Sequence, residues 1–125
     1  MGQVWCQRTA HLHVELHDEG LLAQTTVTID GHPTDGPGDL AEFLQQLADD
    51  WRGWRGRRVW HALGRELTVE ATPDVRGYVA LEITVRRHRW SYANDVWSAT
   101  IVLMLEAGEQ IDALAREVRA LLSSG

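Results

Sequence analysis

Apolar and polar residues alternate in the first part of the chain. From Gln7 to His17, and again from Leu21 to Asp30, apolar residues recur at every second position. A period of two places successive side chains on opposite faces of a β-strand. The tetrapeptide HDEG between the two runs ends in glycine and is typical of a turn. The two runs therefore predict an antiparallel hairpin.

Three more strands are predicted in the second half of the chain. Apolar and polar residues alternate over 66–72, 79–86 and 97–105, and the segment PDVRG between the first two runs is a strong turn. The last run is also apolar on its second face, through Val102 and Met104. We therefore expect this strand to lie in the centre of its sheet, where both faces are buried.

Two helices are predicted from apolar residues at helical spacing. Asp39 and Glu42 form a capping-box pattern at the start of the first helix, which we expect to end at Gly53. The second helix is predicted over 109–122, with acidic residues in its first turn. The apolar stripe of the first helix consists of Leu40, Phe43, Leu44, Leu47, Ala48 and Trp51.

These elements predict one α+β domain over residues 1–125, with frayed ends at about 1–6 and 123–125. The order ββαβββα favours a two-layer sandwich, in which both helices cover one face of a five-stranded antiparallel sheet. The other face would be polar, and it would either dock a protein or simply be solvated. Its expected members are His11, His13, Glu15, Thr26, Thr28, Thr68, Glu70, Glu82, Thr84 and Arg86.

The composition of the chain excludes some classes of function and favours others. The formal net charge of −6 disfavours nucleic acid as a partner and favours a protein with a basic patch. All 12 basic residues are arginine, which excludes lysine-based catalysis and a phosphate-binding P-loop.

The one cysteine, Cys6, excludes an internal disulfide and fits a reducing compartment. No apolar run is as long as a membrane span, so we expect a cytoplasmic protein without membrane contact. No dinucleotide, zinc-protease, phosphate-loop or nucleophile-elbow motif occurs, which disfavours an enzyme without excluding one, and we expect no cofactor.

The stretch from Trp51 to His61, called the Trp/Arg segment below, is the most unusual part of the chain. Stacked tryptophan and arginine side chains can bind a planar or anionic ligand, or anchor a partner protein. The alternative is a helix end, where arginines cap carbonyl groups and tryptophans pack the core. The candidate binding residues are Trp54, Arg55, Arg58, Trp60 and His61, together with Trp90 in a later loop.

Histidines and carboxylates are the candidates for chemistry. If the protein is an enzyme, we expect a histidine base, a glutamate acid and an arginine that binds an anion. The candidates for these roles are His61 and His13, Glu70 and Glu82, and Arg55 and Arg58. His11 and His13 also have the spacing of metal ligands on a strand, but exposed polar strands produce that spacing freely. We therefore predict no metal site.

The stretch WRGWRGRRVWHALGRELTVEAT and the ending EAGEQIDALAREVRALL resemble a family of small actinobacterial proteins of unknown function. The hallmark of that family is a Trp-x-Gly-Trp segment with a further tryptophan, here Trp51, Gly53, Trp54 and Trp60, and the resemblance covers residues 12–122. More remotely, the layout is similar to that of immunity proteins of bacterial polymorphic toxins. This second resemblance implies a protein that masks a partner.

Two functions follow as hypotheses. The first is a non-catalytic protein-interaction module, of which an immunity-type inhibitor is one form. Its anchors would be Trp54, Trp60 and Trp90, and its acidic contacts Glu70 and Glu82. The second is a small cofactor-free enzyme or small-molecule-binding protein of specialised metabolism, with a pocket at the Trp/Arg segment. A homodimer joined at a sheet edge is compatible with both.

Overall fold

The computed structural model describes residues 2–8, 12–27, 38–62, 65–86 and 97–123. These residues form seven strands and two helices, so the predicted α+β class and both predicted helices are confirmed. The strands are β1 Gln3–Arg8, β2 Leu12–Asp18, β3 Leu21–Val27, β4 Arg58–His61, β5 Leu67–Pro73, β6 Tyr78–Arg86 and β7 Ser98–Glu106. The helices are α1 Gly38–Asp49, between β3 and β4, and α2 Glu109–Ser123, after β7.

The strands belong to two antiparallel sheets. One has three strands in the order β1-β2-β3, and the other has four in the order β4-β5-β6-β7. The predicted single five-stranded sheet is therefore wrong. The predicted hairpins are present as β2–β3 and β5–β6, in which Leu16 pairs with Ala23 and Ala71 with Leu81.

Two strands were missed, and both are short. β1 lies where we predicted a frayed end, with Val4 and Cys6 partly buried on the core side. β4 lies inside the Trp/Arg segment and has four residues, of which only Trp60 is buried. β4 contains too few alternating positions for its period to stand out, and in β1 three consecutive apolar residues, Val4, Trp5 and Cys6, hide the alternation.

The two sheets meet at a corner, where a hydrogen bond from a side chain connects them. Thr25 of β3 is buried and donates its hydroxyl hydrogen to the backbone carbonyl of Arg86, at the end of β6, over 2.5 Å. The backbone N–H of Arg86 in turn donates to the carbonyl of Glu66, just before β5. β6 is already paired on both sides by β5 and β7, so this contact joins the two sheets without pairing β3 to the four-stranded sheet.

β7 lies at the edge of its sheet, so its predicted central position is wrong. The prediction rested on apolar residues on both faces of the strand. Its inner face does contact the core, through Ile101, but the outward residues Val102 and Met104 are exposed. The second apolar face of β7 is thus part of the molecular surface.

One core joins both sheets and both helices. It includes Leu16 of β2, Leu81 of β6, Leu47 of α1 and Ile111 of α2, all of them fully buried. α1 and α2 pack against each other, each through its apolar stripe, as the helical spacing predicted. Trp51 is an exception, because α1 ends before it and leaves it exposed. The predicted cap at the Asp39 side chain lies outside the described residues.

Neither helix in the described ranges is long and apolar enough to cross a membrane.

Candidate functional site

The outward-facing side of the four-stranded sheet, called the outer face below, is built from rows of side chains in register. Its middle row takes one residue from each strand: Val59, Glu70, Glu82 and Val102. Antiparallel pairing places directly opposite side chains about 5 Å apart at Cβ. The row therefore presents two adjacent carboxylates with an apolar side chain at each end.

The rows on either side of the middle row differ in chemistry. One contains hydroxyl groups and an imidazole, and its Thr84 and Thr100 hydroxyls are hydrogen-bonded at 2.7 Å. In the other row, the residues on β6 and β7 are apolar, and the row ends at Met104 on β7. The members of the first row are His61, Thr68, Thr84 and Thr100, and those of the second are Thr72, Ala80 and Met104.

Several large apolar side chains on this side of the molecule are exposed. Val59 and Val102 are 48% and 45% exposed, although both are strand residues of a type usually found buried. In the described ranges, Val59, Val102 and Met104 lie on the outer face and Tyr78 lies at its end, whereas the exposed Trp51, Val75 and Trp97 lie outside the paired strands. Leu22, on the three-stranded sheet, lies away from this group.

The two carboxylates of the outer face differ in their partners. Glu70 pairs with the Arg57 guanidinium, at 3.2 Å between Oε2 and Nη1. Glu82 is exposed, and it has no ion-pair partner within the described ranges. Like charges directly opposite each other on neighbouring strands repel. A cationic group next to the carboxylate of Glu82 would offset the repulsion between Glu70 and Glu82.

The Trp/Arg segment contains two stacked pairs. The Arg52 guanidinium lies 5.0 Å from the Trp51 ring centroid, and that of Arg58 lies 4.7 Å from the Trp54 ring. Arg58 also donates a hydrogen bond of 2.6 Å to Asp50. The charge of Arg58 is therefore already paired with a side-chain carboxylate of the chain.

A groove of about 370 Å³ runs beside these pairs. The indole N–H of Trp54 is buried, and within the described residues it has no hydrogen-bond acceptor. Aromatic and small residues from the segment and from the β5–β6 turn line the groove, among them Trp51, Gly53, Trp54, Pro73, Val75 and Tyr78.

The predicted site residues of the Trp/Arg segment have different environments. Trp60 is 7% exposed and lies in the core, so it is not available to a partner in the folded chain. Trp54 is half-buried, and Arg55 is exposed. His61 lies on the outer face, where its Nδ1–H donates to the carbonyl of Ala62 at 3.0 Å. Trp90 lies outside the described residues.

The predicted polar face is divided between the two sheets. Thr68, Glu70, Glu82, Thr84 and Arg86 share the outer face with His61, so the geometry brings these candidates together. The other described members, His13, Glu15 and Thr26, lie on the three-stranded sheet, which separates His13 from both candidate acids. His11 and Thr28 lie outside the described residues.

Three side chains of β2 form a small charged cluster. Glu15 accepts hydrogen bonds of 2.9 Å from the Nε2 atoms of both His13 and His17. Hydrogen bonds from these two side chains hold the pKa of Glu15 below its usual value. Within the described ranges, no three histidine, cysteine or acidic side chains are arranged to hold a metal ion.

Residues 6–125 match the model of a family of unknown function, DUF6228. The chain belongs to this family. The match agrees with the predicted resemblance to an uncharacterised family, whereas actinobacterial origin and the likeness to immunity proteins stay predictions. No curated protein and no solved structure matches this DUF6228 chain. The outer face must therefore be interpreted from its own geometry.

Sequence reasoning missed a buried carboxylate. Glu66 is 2% exposed, and its Oε1 has no hydrogen-bond partner among the described residues. The strand period had placed it on the polar side. Arg65 has a φ of 63°, a left-handed conformation that turns the chain just before β5. The turn interrupts the alternation, so that Glu66 and Leu67 are both buried. Gly64, directly before Arg65, is the signal in the sequence that could have indicated this turn.

The β2 cluster predicts a specific dependence of stability on pH. A carboxylate whose pKa is lowered by folding stabilises the native state above its unfolded pKa, and that contribution disappears as the pH falls through the folded pKa. For Glu15 the loss is expected below pH 4.5, the ordinary value for a glutamate. Glu15→Gln should therefore be less stable than wild type at pH 5, and the difference should shrink as the pH falls below 4.5.

Urea unfolding of both proteins between pH 2.5 and 6 measures this difference. Glu19→Gln is the matched control, because Glu19 is exposed in the adjacent turn. Its stability relative to wild type should hardly change with pH. A difference for Glu15→Gln that stays constant, or grows towards acid pH, would show that the cluster does not stabilise the fold in this way.

Proposed function

We propose that this protein is a non-catalytic protein-interaction module that binds a partner with a basic surface through its outer face. The observation that carries the proposal is the middle row of that face. There, two valines that the fold does not bury flank the adjacent carboxylates of Glu70 and Glu82. Apolar ends with charged groups between them suit a surface that is covered by another protein.

The apolar part of the outer face supports binding of a large partner. Ladder pairing fixes the backbones of Val59 and Val102, and their β-branched side chains have few rotamers, so little conformational entropy is lost when they are covered. Met104 adapts to irregular partner surfaces because its side chain is unbranched and flexible. Beside the face, exposed Trp51 and Tyr78 add aromatic area of the kind that anchors interfaces.

The charged part supports the choice of a basic partner. Glu82 lies opposite Glu70, and an arginine or lysine of the partner would relieve the repulsion between them. The net charge of −6 would also speed the encounter with a basic surface. An immunity-type inhibitor, which masks such a surface in the cytoplasm, is the most specific form of this proposal.

Charge substitution on the outer face tests the proposal. Val102→Arg places a cation where a basic partner would approach, and the neighbouring Glu82 can pair with it in the free protein. We expect this variant to fold and to lose the partner that wild type retains during gentle purification from its source cells. The matched control is Leu22→Arg, because Leu22 is 62% exposed but lies on the other sheet.

The comparison between the two variants decides the outcome. The proposal requires that Leu22→Arg keeps the partner and that Val102→Arg loses it, with circular dichroism spectra like that of wild type. If both variants retain the same partner equally well, the outer face is not the binding surface. If only Leu22→Arg loses it, the partner binds the three-stranded sheet.

The second candidate is a small-molecule-binding protein, and the groove at the Trp/Arg segment favours it. The groove has aromatic lining from Trp51, Trp54 and Tyr78, on which a planar ligand would stack. An enzymatic form of this candidate would use His61 with Glu70 or Glu82, which share the outer face. Native mass spectrometry separates the candidates, because a bound protein supports the first and a bound small organic mass supports the second.

A further inference from the structure

A cavity of about 280 Å³ lies in the interior, where both sheets and both helices meet. Its deep wall is formed by fully buried side chains from each layer, including Val14 of β2, Leu44 of α1 and Leu81 of β6. All the side chains that line it are aliphatic except Cys6 and Glu117. Close-packed interiors contain few voids larger than a water molecule, so an apolar space of this size needs an explanation.

The cavity is open on one side, along α2. Leu114, Val118 and Leu121 line it and are only half-buried, at the spacing of one helix face. Cys6 of β1 also lines the cavity and is partly buried. Glu117 is exposed at this rim, so a molecule can enter beside α2 without unfolding the core.

We propose that this cavity binds a small aliphatic molecule whose polar end, if it has one, is neutral or cationic and lies at Glu117. An apolar cavity of about 150 Å³ holds a benzene molecule, so this cavity has room for roughly ten non-hydrogen atoms. The site lies on the inner side of the four-stranded sheet. It is therefore separate from the outer face, and its test does not depend on the proposed protein partner.

The preference for a neutral or cationic end follows from the two polar groups in the lining. Burial raises the pKa of the Cys6 thiol to about 11, so this group stays uncharged at neutral pH. The carboxylate of Glu117 is then the one charged group among the lining residues. It attracts an ammonium group and repels a carboxylate, which disfavours fatty acids as ligands.

Titration with three eight-carbon probes tests the site: octylamine, 1-octanol and octanoate. Methyl-resolved NMR of the full chain should show saturable shifts at Leu44, Leu81 and Ile83, which line the cavity. Val79 and Ile111 are equally buried but do not line it, so their methyl signals should move little. Octylamine should bind most tightly and octanoate most weakly.

A matched pair of variants at the opening and one variant of Glu117 make the test specific. Val118→Phe fills the opening from a half-buried helix position and should weaken octanol binding at least about tenfold. Ala120→Phe adds the same side chain at an exposed position of α2 that does not line the cavity, and it should bind like wild type. Glu117→Gln should remove the preference for octylamine over octanol while leaving octanol binding unchanged.

Three results would overturn the proposal. The first is the absence of saturable shifts at the lining methyl groups with all three probes. The second is equal weakening by Val118→Phe and Ala120→Phe, which would place binding outside the cavity. The third is octanoate as the tightest ligand, or a preference for octylamine that survives in Glu117→Gln, since either would remove Glu117 from the site.

Discussion

Replacing Trp60 with alanine is expected to lower the free energy of unfolding by about 3–5 kcal/mol. Trp60 lies on the core side of β4, opposite Val69, and only 7% of it is exposed. Truncation to alanine removes a large apolar surface and leaves a cavity that the two paired strands can close only in part. The expected loss is a large fraction of the stability of an ordinary domain.

Trp51→Ala is the matched control for this prediction. Trp51 belongs to the same segment but is 54% exposed, so its truncation should change the unfolding free energy by less than about 1 kcal/mol. Urea unfolding followed by circular dichroism measures both values without relying on tryptophan emission. Similar values for the two variants would mean that Trp60 is not a core residue.

Leu16→Ala is expected to lower the free energy of unfolding by about 2–5 kcal/mol and to destabilise both sheets together. Leu16 is in the centre of β2 and is fully buried in a core that also contains Leu81 of the other sheet. Because the two sheets share this core, the loss should lower the protection of backbone amides in both of them.

Native-state hydrogen exchange measures where the loss appears. Amides of β6 should exchange faster in Leu16→Ala by a factor similar to that for amides of β2. Leu22→Ala, at an exposed position of the same hairpin, should leave the exchange rates of both sheets near those of wild type. Faster exchange confined to the three-stranded sheet would show that each sheet is stabilised separately.

The elements with a long, regular period could be predicted from the sequence. α2 was expected over 109–122 and forms over Glu109–Ser123, and β6 was expected over 79–86 and forms over Tyr78–Arg86. Their periods repeat often enough to exclude other structures. The predicted inner residues of β6, such as Val85, are buried, and those of α2 are buried at Ile111 and Ala115 and half-buried at Leu114, Val118 and Leu121.

The division into two sheets could not be predicted, because alternation shows which side of a strand is buried but does not identify the neighbouring strand. The corner depends on a hydrogen bond between Thr25 and Arg86, which are 61 residues apart in the sequence. No local pattern encodes such a contact. The strands β1 and β4 were missed for the same reason. Pairing with a neighbouring strand stabilises them more than their own composition does, and a local pattern does not show that pairing.

The outer face was partly predictable. The period placed Thr68, Glu70, Glu82 and Thr84 on one side of the sheet, and the structure has them there. The apolar character of Val102 predicts that its side chain is buried, whereas it is exposed. Apolar side chains that contact a partner look the same in a sequence as those that contact a core. Exposure in the structure is the observation that distinguishes them.

Site-specific photo-crosslinking in the source cells tests the role of the outer face most directly. A photoreactive amino acid is placed at position 102 on the outer face, or at position 22 on the three-stranded sheet, both of which are exposed. The proposed function predicts that position 102 forms an adduct with one protein that has a basic surface, and that position 22 does not. Adducts from position 22 alone, or the same adducts from both positions, would contradict it.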